Sequence, residues 1–120
     1  MKKIKAFLYS FVYAFSGVKI LLNERNFRFH CLSFIVVVVL GCMFGLTKYE
    51  WLIVVLASGF VLAFEAINTS IELLCDLVSN EKNNMIKKIK DIAAAAVLIQ
   101  AIFAIVIALI LCFRIVKSCF

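Results

Sequence analysis

Long apolar stretches separated by short polar clusters organise this 120-residue chain. Residues 31–47 are almost unbroken hydrocarbon and predict a first membrane-spanning helix near the short end of the workable range. Four successive valines within it, Val36 to Val39, also suit a buried strand, but the length of the run favours a helix. Residues 51–79 and 92–113 predict a second and a third span, the third interrupted only by Gln100. Alanines 93–96 give that third helix a smooth face for close packing. Over residues 2–29 the apolar positions Ile4, Phe7, Leu8, Phe11, Phe15, Val18 and Leu22 recur at helical spacing, opposite Lys5, Tyr9, Ser16, Lys19 and Asn23. That pattern predicts an amphipathic helix lying in the membrane interface. A cleavable leader is the alternative, since Ala14-Phe15-Ser16 loosely fits the small-x-small rule, but Lys5 and the recurring polar positions break its apolar region. Residues 80–90 read as a cytoplasmic loop with a basic helical lead-in. The expected architecture is one all-α membrane domain over 1–120, an interfacial helix plus three transmembrane helices.

Composition agrees. Two thirds of the residues are hydrophobic (66%) and only 17% are charged, with no proline and a mean hydropathy of +1.12. A soluble domain carries about 25% charged residues. The net charge of +6 could suggest nucleic acid, yet the basic residues flank apolar runs and form no face of their own. Anionic lipid headgroups are therefore the expected partner, and nucleic acid is not. Five cysteines, odd in number and without a C-x-x-C pair, support neither a disulfide framework nor a zinc site. Ten of the 13 basic residues precede the first span or lie between the second and third; only Lys48, Arg114 and Lys117 fall on the other side. The excess predicts a cytoplasmic N-terminus and an external C-terminus.

Within the second span Glu65, Asn68, Glu72 and Asp76 recur at spacings of 3, 4 and 4, so they share one helix stripe. An ionised carboxylate at the centre of a bilayer helix costs roughly 2.5–3.5 kcal/mol. Counting about 20 residues of hydrocarbon from Trp51 puts Glu65 just inside the cytoplasmic boundary, Glu72 at the headgroups and Asp76 outside. Glu24, Lys90 and Asp91 map to the same surface. Hard carboxylate oxygens suit Mg²⁺, which binds through one or two carboxylates plus substrate phosphates. A carboxylate at the hydrocarbon edge suits a general base, so phosphoryl transfer to a lipid hydroxyl fits the set. A proton- or cation-coupled membrane protein fits the same residues almost as well, and a polar stripe that merely holds helices together is the structural alternative. No Walker or Gly-rich nucleotide loop is present. His30 alone is no metal site; a helix-end histidine is far commoner.

Glu65-Ala-Ile-Asn68-Thr-Ser-Ile-Glu72, then Asp76, then Lys90-Asp91-Ile-Ala-Ala-Ala-Ala-Val97 resembles the pattern E-x-x-N-[TS]-A-I-E-x-x-x-D … K-D-x-A-[AS]-[GA]-A-V of the bacterial membrane diacylglycerol kinase/undecaprenol kinase family. Gly17 and Asn23-Glu24-Arg25-Asn26-Phe27 match in order and spacing, so the resemblance covers nearly the whole chain. It implies a homotrimer in the bacterial cell membrane, with sites between protomers, that transfers the γ-phosphoryl of MgATP directly to a lipid alcohol. Carried over by position, Glu65 is the general base and Asn68 orients the base or substrate; Glu24 and Glu72 hold the metal. Lys90 contacts phosphate, Asp76 and Asp91 serve the nucleotide, and Tyr13 stands where the family often has an aromatic near adenine.

Three positions depart from the pattern. Ser70 replaces an alanine and Ala95 a common glycine, both small residues at a helix contact. Asn83 stands where members commonly carry a histidine near the nucleotide. The stretch Glu24-Arg-Asn-Phe-Arg-Phe-His30 resembles the Gram-positive, undecaprenol-phosphorylating branch more than the diacylglycerol branch, which makes undecaprenol the first expected substrate and diacylglycerol the second.

Overall fold

The computed structural model describes residues 1–120 as four α-helices and no strand: α1 Lys2–Leu22, α2 Arg25–Phe44, α3 Lys48–Val78 and α4 Asn84–Cys119. All four are long and apolar enough to cross a membrane. The expected division of α1 into an apolar and a polar face is not supported: no residue of α1 is buried, and its length and composition match those of a span. At 1.5 Å per residue α3 is about 46 Å long and α4 about 54 Å. Each therefore outreaches a hydrocarbon layer of about 30 Å, and the polar ends must stand in the headgroups or water.

Helix boundaries differ from the expected segments for local reasons. The helix expected over 2–29 is interrupted at Asn23-Glu24, because Glu24 takes an extended conformation (φ −83°, ψ 129°) and α2 starts at Arg25. The segment expected over 31–47 ends as a helix at Phe44. Gly45 adopts a left-handed conformation (φ 69°), which glycine reaches without a Cβ clash, and the N–H groups of Gly45 and Leu46 both donate to Gly41 O. Thr47 then opens α3 with a reciprocal cap: Glu50 N–H donates to Thr47 Oγ1, and Thr47 N–H donates to Glu50 Oε2. The loop expected over 80–90 is shorter, since Asn83 Oδ1 accepts from Met85 N (2.8 Å) and Ile86 N (3.4 Å) and α4 begins at Asn84. Asn83, read from sequence as a missing histidine, is the N-cap of the longest helix. Asn83→Ala is expected to lower stability by about 1 kcal/mol, measured as thermal unfolding in detergent, and Asn83→Asp to restore it.

α3 and α4 pack along each other as an antiparallel hairpin; α2 meets α3 over a shorter stretch, and α1 is held mainly by α2. Close approach of α2 to α3 depends on Gly41, where an added Cβ would lie 2.6 Å from the Trp51 ring. Far from the loop, Arg114 Nε of α4 donates to Glu50 Oε1 of α3 at 2.8 Å, closing the hairpin at that end. The assembly is a slab of 56 × 48 × 20 Å with a radius of gyration of 18.2 Å, against about 14 Å for a compact soluble domain of this length. Only 11 of 120 residues are buried, too few for a self-sufficient water-soluble core. The rows of exposed Leu, Ile, Val and Phe on every helix need lipid or further helices around them.

Candidate functional site

In so open a chain, the few buried polar residues are informative. Glu65, Asn68 and Thr69 are 4%, 6% and 5% exposed, and all three lie within about one turn of α3. Thr69 Oγ1 donates to Glu65 O at 3.0 Å, so the hydroxyl is satisfied within its own helix. Asn68 Nδ2 donates to Glu72 Oε1 at 3.3 Å, one turn on, while Asn68 Oδ1 has no partner. A buried carbonyl oxygen without a donor costs about 1–3 kcal/mol and is free to receive a substrate hydroxyl or a metal-bound water.

The Glu65 carboxylate receives no hydrogen bond from the chain. Its one basic neighbour is His30 of α2, with Nε2 4.0 Å from Oε2. Glu24 and Glu72 are also within electrostatic range of it. The structure thus brings Glu24 at the start of α2 and Glu65, Asn68 and Glu72 on α3 to one locality. No three His, Cys, Asp or Glu side chains converge on a preformed metal site. The Glu72 carboxylate beside the amide of Asn68, whose Oδ1 is orphaned, offers the hard oxygens that suit a divalent cation arriving with phosphates and keeping several waters.

A second polar group lies further along the same stripe. Asp76, Lys87, Lys90 and Asp91 line a cleft of about 660 Å³ with Ser79 to Asn84, where α3 turns into α4. Lys90 Nζ donates to Asp76 Oδ1 at 2.6 Å, tying the two helices together, and Lys87 Nζ donates to Asp91 Oδ2 at 2.7 Å within α4. Each direct hydrogen bond holds its ammonium above the usual lysine range, so both lysines keep their charge through neutral and moderately alkaline pH. The aspartates in turn neutralise both lysines while the cleft holds no phosphate. Since the pairs are exposed, exchanging a carboxylate for a phosphate oxygen forfeits little.

Tyr13 is not brought to this cleft. It lies on α1, 71% exposed, and its aromatic partner is Tyr9 at 6.4 Å. His30, dismissed from sequence as a helix-end residue, is the neighbour of Glu65. Its only sequence signal is depth: it immediately precedes the first span, near the level where counting from Trp51 puts Glu65.

Comparison with known proteins shows the family. The sequence profile described as prokaryotic diacylglycerol kinase matches residues 12–112. The chain is 34% identical to an undecaprenol kinase of Bacillus subtilis over 91% of its length and 89% of that protein. It is also 34% identical to a diacylglycerol kinase of Synechocystis over 83% of its length, spanning 58% of that longer protein. A diacylglycerol kinase of Escherichia coli is 27% identical, with 78% of each chain aligned. With a profile match over most of its residues and a relative aligned almost end to end, the chain belongs to the prokaryotic diacylglycerol kinase family and is a lipid kinase.

Proposed function

We propose that this protein transfers the γ-phosphoryl group of ATP to the hydroxyl of a membrane lipid alcohol, with undecaprenol as its first substrate. The observation that carries the reading is Glu65, a buried carboxylate at one end of a polar stripe whose far end is the Asp76–Lys90 cleft. One end suits a lipid hydroxyl and the other a water-soluble triphosphate. In this reading Glu65 removes the hydroxyl proton as the lipid oxygen forms its bond to the γ-phosphorus. The bond from that phosphorus to the β-bridging oxygen breaks, and ADP leaves with the electron pair. Asn68 orients the hydroxyl through its unpartnered Oδ1, and Lys90 leaves Asp76 to hold phosphate. Asp91, released by Lys87, and Asp76 order the nucleotide side, and Tyr13 approaches adenine only if α1 or a neighbouring copy carries it there. Glu24 and Glu72 hold Mg²⁺, which when bound neutralises charge on the transferring phosphoryl group.

The proposed arrangement keeps α1 in the interface and lets α2, α3 and α4 cross. If α1 crossed as well, Lys2, Lys3 and Lys5 would be parted from Arg25, Arg28 and the Lys82–Lys90 cluster; with α1 along the surface all of them stay on the cytoplasmic side. Of the spans, 92–113 then sits within α4, while 31–47 and 51–79 overlap α2 and α3 up to their ends at Phe44 and Val78. The scarcity of buried residues supports assembly into a homotrimer, in which neighbouring copies cover the exposed helix faces.

Undecaprenol is preferred because the Bacillus relative carries that name and aligns over most of both chains. Diacylglycerol is the second reading, favoured by the names of the other relatives. Labelled MgATP with purified protein in mixed micelles decides between them. Strong labelling of undecaprenol is the expected result, preference for diacylglycerol overturns the substrate, and labelling of neither by a folded oligomer overturns the kinase reading in favour of a cation-binding site.

A further inference from the structure

His30 has no part in the chemistry described above, yet it is the only basic side chain within 4.0 Å of Glu65. Its own side chain is 18% exposed, and the carboxylate beside it 5%. The imidazole also meets the Phe29 ring edge-on, with centroids 5.7 Å apart. It also lines an apolar groove of about 320 Å³ with Phe34, Val37, Val61 and Ala104. The ring therefore stands between hydrocarbon and a carboxylate that no N–H or O–H of the chain reaches. A glutamate has three rotatable side-chain bonds, and a base must keep one lone pair aimed at the proton it removes. A partner at one carboxylate oxygen fixes the direction of the other. At 4.0 Å the contact is longer than a hydrogen bond, and a small rotation of either side chain brings Nε2 within reach of Oε2, as a cation or through a neutral N–H. From α2 it also comes from a different helix, so it fixes Glu65 relative to the groove and not only to its own backbone.

We propose that His30 is a positioning residue that anchors Glu65 Oε2 and leaves Oε1 directed at the lipid hydroxyl. The inference rests on the reading of Glu65 as the base. Nothing passes between His30 and the substrate; the hydroxyl proton still goes to Glu65. A side chain with a donor of similar reach can do the same work, and an aromatic ring of the same bulk without one cannot.

The test compares wild type, His30→Gln, His30→Phe, Glu65→Gln and the double variant His30→Phe/Glu65→Gln. Labelled MgATP is used with undecaprenol, and with diacylglycerol in parallel, each preparation first checked for its oligomer by size exclusion in detergent. His30→Phe is expected to lower kcat about 30-fold with the KM for ATP within about twofold, since misaiming a reacting group by about 1 Å costs on the order of 100-fold. His30→Gln is expected to stay within about threefold of wild type. In the Glu65→Gln background, His30→Phe should cause no further loss, because there is no base left to aim. Should His30→Phe misassemble, His30→Asn, polar but too short to reach Oε2, replaces it with the same expected loss. Wild-type kcat in His30→Phe or His30→Asn, equal losses in Phe and Gln, or a full additional loss on top of Glu65→Gln would overturn the inference. Normal turnover by Glu65→Gln alone is a different failure: it overturns the base itself.

Discussion

Glu65→Gln is expected to reduce lipid phosphorylation by about 10³-fold or more while leaving the oligomer and its thermal stability close to wild type. The substitution keeps shape and removes the charge, so it deletes the proton acceptor without opening a cavity. General-base catalysis is worth roughly 10²–10⁴ in rate, and a buried site without a second carboxylate at the hydroxyl has no substitute for it. Stability should hold or rise. An amide at 4% exposure is cheaper to bury than an ionised carboxylate with no hydrogen-bond donor. Loss of turnover together with gain in melting temperature is the signature of a residue kept for chemistry. Retained turnover would return Glu65 to a packing role.

Glu72→Gln is expected to lose on the order of 100-fold in turnover at low millimolar Mg²⁺, equivalent to about 2.7 kcal/mol, and to recover in part as Mg²⁺ is raised. A glutamine there keeps an oxygen for Asn68 Nδ2, so the 3.3 Å contact survives and only the negative charge goes. Glu24→Gln should show the same recovery with a smaller loss, because its carboxylate makes no capping bond at the start of α2 and is already free for a cation. Rates measured across a Mg²⁺ series separate this from a nucleotide effect. Lys90→Met should instead raise the KM for ATP without changing the Mg²⁺ midpoint. A Glu72→Gln protein insensitive to added Mg²⁺ would exclude a metal-binding role for that carboxylate.

The helical membrane architecture was legible because hydropathy reports which residues suit hydrocarbon: α4 contains its expected span, while α2 and α3 cover all but the last three residues and the last residue of theirs. Their ends were not, because a helix ends where backbone hydrogen bonds end, and that is decided by caps. Glu24, Gly45, Thr47 and Asn83 set those limits, and each lies outside or at the edge of the apolar runs. The acidic stripe was visible because its members are neighbours on one helix, 3 and 4 residues apart. Pairings between helices were not visible. His30 and Glu65 are far apart in the chain, and Arg114 meets Glu50 across 64 residues. Neither pair has a periodic signature, and both depend on how α2 and α4 lie against α3. Tyr13 was placed near adenine by resemblance alone, and within a single chain α1 does not take it there.

The Glu50–Arg114 contact has a bearing on how the two longest helices keep their register. They are fastened at one tip by this charged clasp, and at the other by a short loop and the exposed Lys90–Asp76 pair. A pair of rods tied at both tips can bow or twist, but neither can slide along the other. Each residue of α3 therefore keeps its height against α4, and side chains spaced along the stripe hold their separations as a ruler holds its marks.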